Sequence, residues 1–373
     1  MSMIALKPPM GWNSWNIFSG KISETLIKQT ADYIVDNGYR DAGYTVVAID
    51  DCWMAHERTP EGDLQPDKTK FPNGMKAVGD YLHSKGLLFG IYEDAGTMTC
   101  AGYPGSYGHE RRDAQLFAEW GVDMLKYDFC YSAPGMEDRE LYRRMGQALR
   151  ETGRDIIFSG CWGNDGVWKW MRSCGAHMWR LTGDIADSWE SIEKVGFGAL
   201  GLEMYSGPCG WNDPDMLVVG LNGRGYVGEI GGGCNFEEYK SHFALWCMLS
   251  APLLMGHDVR KTSSEIKALL QNKELIAINQ DDAGIQAYRL PSTNDYITVL
   301  AKPLANGDIV FGLFNRQPVW TYMPVSWRCC GWELTDDISL TDVISGKDLG
   351  TFRAGNTFRV EGHSCLILRA TRL

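Results

Sequence analysis

Apolar positions along the chain fall into short runs separated by longer amphipathic stretches. The runs are MGWNSW (10–15), YTVVAID (44–50), LLFGIY (87–92), VDMLKYD (122–128), DIIFSG (155–160), HMWRLTGDI (177–185), CGWNDPDML (209–217) and CMLSAPLLMG (247–256). Runs this short, bounded by turn residues, read as buried strands. Between them 23–38, 77–86, 113–121 and 136–153 carry the helical period, and several end in Gly, as a helix C-terminus favours. Ser23 is the expected N-cap of the first helix, with Leu26 where a capping box would prefer Glu.

Eight strand–helix units in about 280 residues predict an α/β fold, a (β/α)8 TIM barrel. A doubly wound sheet is the alternative, but no GxGxxG follows the first strand. From about residue 286 the texture changes to short alternating strands, YITVLAKPL (296–304), GDIVFGLFN (307–315), TYMPVSW (321–327) and SCLILRAT (364–371), with Gly, Asn and Pro turns. The expected organisation is a barrel over 1–285 and a small C-terminal antiparallel β domain over 286–373.

Composition narrows the partners. With 36 Lys+Arg against 47 Asp+Glu, the net charge of −11 argues against nucleic acid or an anionic membrane as the main partner. A neutral small molecule fits better, and 12% aromatic residues supply flat faces for the C–H faces of sugars. The N-terminus MSMIALKPPM has no apolar core of signal-peptide length, and no stretch approaches the ~20 apolar residues of a membrane span. A cytoplasmic protein is therefore expected, with its oligomeric state, a homo-oligomer included, left open. Eleven Cys without a CxxC pair indicate neither a zinc knuckle nor a complete disulfide framework.

The chemistry of a TIM barrel sits at the C-terminal ends of its strands. In chain order these ends deliver Trp12 and Trp15, Asp50 and Asp51, Tyr92 and Asp94, Lys126 and Asp128, Cys161 and Trp162, Arg180 and Asp184, Asp213 and Asp215. Five of the strands end in carboxylates. Like charges brought together oppose folding, so their convergence on one rim points to function. Glycoside hydrolysis needs two carboxylates flanking one bond. Lys126, two residues before Asp128, shares its strand face and would keep that carboxylate ionised; a salt-bridged strand end is the structural alternative. Asp184 is the expected partner acid, with Arg180 as a sugar or carboxylate clamp.

The segments GWNSW, DDCW, GIYEDAG, TCAGYPGS, KYDFC, WRLTGDI, GWNDPDML and AINQDDAG occur in this order between about residues 8 and 290. Together they closely resemble the motifs of the α-galactosidase and α-N-acetylgalactosaminidase family, glycoside hydrolase family twenty-seven. The resemblance implies a (β/α)8 barrel with a C-terminal β-sandwich and a retaining mechanism, and since two carboxylates suffice for it no metal or cofactor is expected. It implies Asp128 as nucleophile and Asp184 as general acid/base. Asp50 and Asp51 match the pair that holds the axial O4 and the O6, and Trp15 the stacking platform, while Trp12 reads as core. Lys126, Arg180, Tyr92, Cys100 and Asp215 match sugar-contacting positions. Cys100 and Cys130 occupy positions that are disulfide-bonded in exported relatives, and two free thiols are the competing state. Cys52 is expected to be free, Asp213 to cap a turn, and His109, His177 and His257 to be structural or surface residues.

One departure stands out. Family α-galactosidases carry Cys-Glu-Trp after the fifth strand, with the Glu near the sugar O2, whereas this chain reads FSGCWGND. Cys161 and Trp162 belong to that pocket with open roles. The expected activity is release of terminal α-D-galactose, with α-N-acetylgalactosaminidase, β-L-arabinopyranosidase or a catalytically dead carbohydrate-binding protein as alternatives.

Overall fold

A computed structural model describes residues 4–132, 135, 137–164 and 166–373. Met136 and Asp165, within two of the segments quoted above, lie outside the described residues. Eight parallel strands, β1 (Met10–Asn13), β2 (Val46–Ile49), β3 (Leu88–Asp94), β4 (Met124–Asp128), β5 (Ile157–Cys161), β6 (Met178–Arg180), β7 (Trp211–Asp213) and β8 (Leu253–Met255), form one sheet in the order β7-β6-β5-β4-β3-β2-β1-β8. Closure comes just past β7: Leu217 bridges Met255, with Leu217 N donating to Leu254 O (2.8 Å) and Gly256 N to Leu217 O (3.0 Å).

Side-chain alternation decides which residues face the barrel axis. Val46 and Ala48, Met124, Met178, Trp211 and Leu254 pack together inside. Two residues further along the same faces stand Asp50, Lys126, Arg180 and Asp213, so the interior parity delivers polar groups to the upper rim. The opposite parity, Val47, Ile49, Phe89, Ile91, Leu125, Phe158 and Trp179, joins the helices in the main core.

The four predicted helices form as Glu24–Asp36, Gly74–Ser84, Glu110–Glu119 and Asp138–Glu151. Ser23 caps the first, its side chain accepting from Leu26 N at 3.2 Å. Two of the predicted strands are shorter than their apolar runs. Cys247 and Met248, read as strand, end the helix Phe236–Met248, which is buried on nearly every face and so lacks a clear period. Past Arg180 the 177–185 run leaves the sheet and becomes a rim loop.

The C-terminal sheet has six strands, in the order Asp348–Phe352, Ile338–Asp342, Cys365–Arg372, Ile309–Asn315, Ile297–Pro303 and Tyr288–Arg289. Thr321–Ser326 and Gly355–Val360 form the second layer over a separate core of Val299, Phe311, Leu313, Met323, Trp327 and Leu368. The two parts are bolted together. Helix Phe236–Met248 packs on Ile309–Asn315 and Cys365–Arg372. Trp189 stacks on His363 at 4.7 Å. Lys302, fully buried, donates to Ser250 Oγ and to Ile285 O (2.8 Å).

Candidate active site

The strand ends converge on a pocket of about 400 Å³ lined by Trp15, Asn16, Asp50, Asp51, Tyr92, Cys100, Lys126, Asp128, Arg180, Asp184, Asp215 and Met216. Ten of the predicted site residues are among them. Asn16 and Met216 were not foreseen: each follows a predicted rim residue by one position, and no charge marks either.

Asp50 anchors the β1–β2 side. Its Oδ2 accepts from Lys126 Nζ (2.7 Å) and Asn13 Nδ2 (2.7 Å), and its Oδ1 from Asp51 N (2.9 Å). Asp51 is satisfied by backbone, with Oδ1 accepting from Cys52 N (2.6 Å) and Oδ2 from Ala101 N (3.0 Å). Burial raises the Asp51 pKa in spite of those two donors. Both carboxylates are almost completely buried, a costly arrangement that only donors or a ligand can offset.

Lys126 and Asp128 project from one face of β4. Burial opposes the Lys126 charge, but Asp50 above all holds the ammonium well above its usual range. Asp128 Oδ1 accepts from Phe129 N (2.9 Å) and Oδ2 from Tyr92 Oη (3.0 Å). Burial nevertheless raises the Asp128 pKa, with Lys126 opposing. Cys100 Sγ lies 3.7 Å from Asp128 Oδ2, and Cys100 and Cys130 are joined in a disulfide, one of the two states left open by the sequence. Cys52 is free and buried, as expected.

Arg180 faces two acids. Nη2 donates to Asp184 Oδ1 (2.9 Å) and Nη1 to Asp215 Oδ1 (3.1 Å). The Asp184 side chain is 68% exposed, so it stands at the mouth. Partial burial works to raise its pKa, but Arg180 and Lys126 outweigh it and hold the carboxyl below its ordinary value. Asp215 has φ +87°, a conformation uncommon outside glycine, though Asp adopts it more readily than most residues. Asp213 Oδ1 holds it there by accepting from Asp215 N (2.8 Å), the turn-capping role expected of Asp213. Burial raises the pKa of Asp213 to about 6.

The O2 region needs correction. Neither Cys161 nor Trp162 lines the pocket. Cys161 Sγ is buried 3.5 Å from Arg180 Nη1, behind the clamp. Trp162 packs on Phe129 at 4.4 Å between ring centroids, and its indole N–H donates to Asp138 Oδ2 (2.7 Å). That donor is taken. Trp12, read as core, is fully buried, with its indole donating to His257 O (2.8 Å). His177 accepts from Phe158 N, and His257 Nε2 pairs with Thr262 Oγ1 (2.7 Å). Among the described residues Asp94, Cys100, Asp128 and Cys130 bring potential metal-ligand atoms within 4.8 Å of one another, but the two sulfurs are bonded to each other.

Comparison with known proteins agrees with this geometry. The family model described as Alpha galactosidase A matches residues 7–281, and the Alpha galactosidase C-terminal beta sandwich domain matches 294–370. Alpha-galactosidase 3 of Arabidopsis thaliana is 43% identical over 97% of this chain and 81% of its own length. The alpha-N-acetylgalactosaminidase of Gallus gallus is 38% identical over 96% of this chain and 91% of its own. A Saccharomyces cerevisiae α-galactosidase structure with raffinose superposes with a TM-score of 0.89 at 31% identity, covering 99% of this chain and 98% of that one. The chain belongs to the alpha-galactosidase family of glycoside hydrolases.

Proposed function

We propose that this protein is a retaining exo-α-galactosidase that removes terminal α-D-galactose from neutral α-galactosides. The observation that carries the reading is the meeting of Asp128 and Asp184 in one pocket with Lys126, Arg180 and the buried pair Asp50 and Asp51. Raffinose, held by the yeast relative, ends in an α-galactosyl unit of this kind.

In the proposed reaction an Asp128 carboxylate oxygen attacks the anomeric carbon as its bond to the leaving oxygen breaks. Asp184 gives that oxygen its proton, leaving a glycosyl ester on Asp128. Asp184 then takes a proton from water, whose oxygen attacks the same carbon and releases Asp128 with retained configuration. The first step needs Asp184 protonated, whereas Arg180 and Lys126 lower its pKa and favour its anion. Substrate would cover the exposed Asp184 and favour its protonated form by desolvation. Asp128 is already desolvated, and Lys126, Tyr92 and the Phe129 N–H all favour its anion.

With no Glu on β5 and the Trp162 N–H taken by Asp138, a backbone group or a water must meet O2, or the space admits a 2-acetamido group. Nitrophenyl α-galactoside, α-N-acetylgalactosaminide and β-L-arabinopyranoside separate these outcomes. The highest kcat/KM is expected for the α-galactoside, and a higher value for either other substrate overturns the specificity. An inverted first product, observed by NMR, overturns the mechanism.

A further inference from the structure

A second and larger space lies at the opposite end of the barrel. It measures about 1470 Å³, mouth included, against about 400 Å³ for the catalytic pocket on the same measure. Asp155, Ile156 and His177 at its wall immediately precede or flank the N-terminal starts of β5 and β6, and Cys209 precedes β7. The C-terminal turn of helix Asp138–Glu151 supplies Leu149 and Arg150.

Its charge is the reverse of the chain's. Three arginines line it, with Asp155 as the single carboxylate among the lining residues. Arg154 is committed to structure, donating to Asp123 Oδ1 (2.6 Å) and to the carbonyls of Val122 (2.7 Å) and Gly121 (3.0 Å). Arg172 is held in place by Gly210 O (3.0 Å) and by the Trp179 ring, 5.8 Å from its guanidinium carbon, and neither contact neutralises its charge. The Arg150 guanidinium has no hydrogen-bond or ion-pair partner among the described residues. Gly175, at φ +96°, makes room for it: a Cβ there would stand 2.3 Å from Arg150 Nη1. His177 lines the same space, and its Nδ1 accepts from Phe158 N (3.0 Å), so the neutral ring carries its hydrogen on Nε2. Burial, then Arg150 and Arg172, push the His177 pKa down to about 4, with Asp155 opposing.

We propose that this cavity is a second ligand site that takes an amphipathic anion, a carboxylate or phosphate group held by Arg150 and Arg172 with an apolar body against Leu149 and Phe158. Guanidinium forks suit the planar or tetrahedral oxygens of such groups, and both arginines are exposed to an entering ligand. The catalytic pocket cannot take the same ligand, because its rim is built of carboxylates that repel an anion. The proposal stands apart from the assignment of the catalytic site.

Calorimetric titration of the full chain with phenyl phosphate tests it, with inorganic phosphate and phenol as the two halves of the probe. Phenyl phosphate should bind saturably, about tenfold or more tightly than either half, because both the anion and the ring are engaged. Saturating galactose should leave that binding unchanged. Arg150→Ala should weaken it about tenfold or more and Arg150→Glu abolish it, since each removes a charged hydrogen bond. Hydrolysis of nitrophenyl α-galactoside by both variants should match that of the parent. Absence of saturable binding, competition by galactose, or full binding by Arg150→Glu would overturn the proposal.

Discussion

The two ends of the same eight strands carry opposite chemistry. At the C-terminal ends, carboxylates on or just past β2, β4, β6 and β7 gather round Lys126 and Arg180, Lys126 pairing with Asp50 and Arg180 with Asp184 and Asp215. At the N-terminal ends of β5 to β7, arginines dominate and Asp155 stands as the single lining carboxylate. Burial acts on both, raising the acids above and lowering His177 below. The difference lies in what offsets it. Above, every lining carboxylate has fixed donors, so the array is preorganised for a neutral polyol. Below, Arg150 has no ion-pair partner among the described residues, and an anion would supply one.

The sharpest way to break this comparison is Asp128→Asn. It should cut turnover of nitrophenyl α-galactoside about a thousandfold or more while a circular-dichroism melt stays near the parent's, because the covalent path is lost and no core contact is. Near-parental activity would remove Asp128 from the mechanism. Azide should not rescue this variant by a retaining route, whereas with Asp184→Ala it should restore turnover of activated substrates.

Lys126→Met comes next. It strips the 2.7 Å partner from an Asp50 that is only 2% exposed. Breaking a buried pair this way costs about 3–5 kcal/mol, read as a lowered denaturation midpoint together with weakened substrate binding. An unchanged midpoint would mean that Asn13 and the backbone alone hold Asp50.

A pH experiment on the upper rim has a smaller expected effect. Asp94 lies behind Asp128, and burial pushes its pKa up to about 7 although Gly96 N and Cys130 N donate to it. A carboxyl with a raised folded-state pKa gives stability that is full below its unfolded value and is lost as pH rises through the folded one. Relative to Asp94→Asn, which does not titrate, the parent should therefore lose a few degrees of Tm between pH 4 and pH 8. A difference that is flat with pH would place an ionised Asp94 in the fold throughout.

The smallest shift is below. Arg150→Ala should let the His177 pKa, read by NMR titration, climb part of the way from about 4, since burial is the larger cause and stays in place. No movement would show that Arg150 contributes nothing to the field there.

The sequence by itself determined the eight barrel strands, the parity that aims Lys126 and Asp128 at one pocket, and ten of the lining residues. Those features are local: a buried strand shows as an apolar run, and a charge at its end is visible whatever surrounds it. Strands Ile338–Asp342, Asp348–Phe352 and Gly355–Val360 escaped notice: the last two are mostly exposed or half-buried and give little alternation, while Ile338–Asp342 alternates, with Ile338 and Leu340 buried, over only five residues. Helix Phe236–Met248 was hidden for the converse reason, burial on all sides. Tertiary structure alone decided that Trp162 turns its N–H to Asp138, that Cys161 sits behind Arg180, and that Cys100 meets Cys130 beside the nucleophile. It also decided that Arg150 and Arg172, 22 positions apart, line one space with His177. These outcomes depend on which groups from separate segments come within hydrogen-bond reach, and no local pattern encodes a partner that folding brings from elsewhere in the chain.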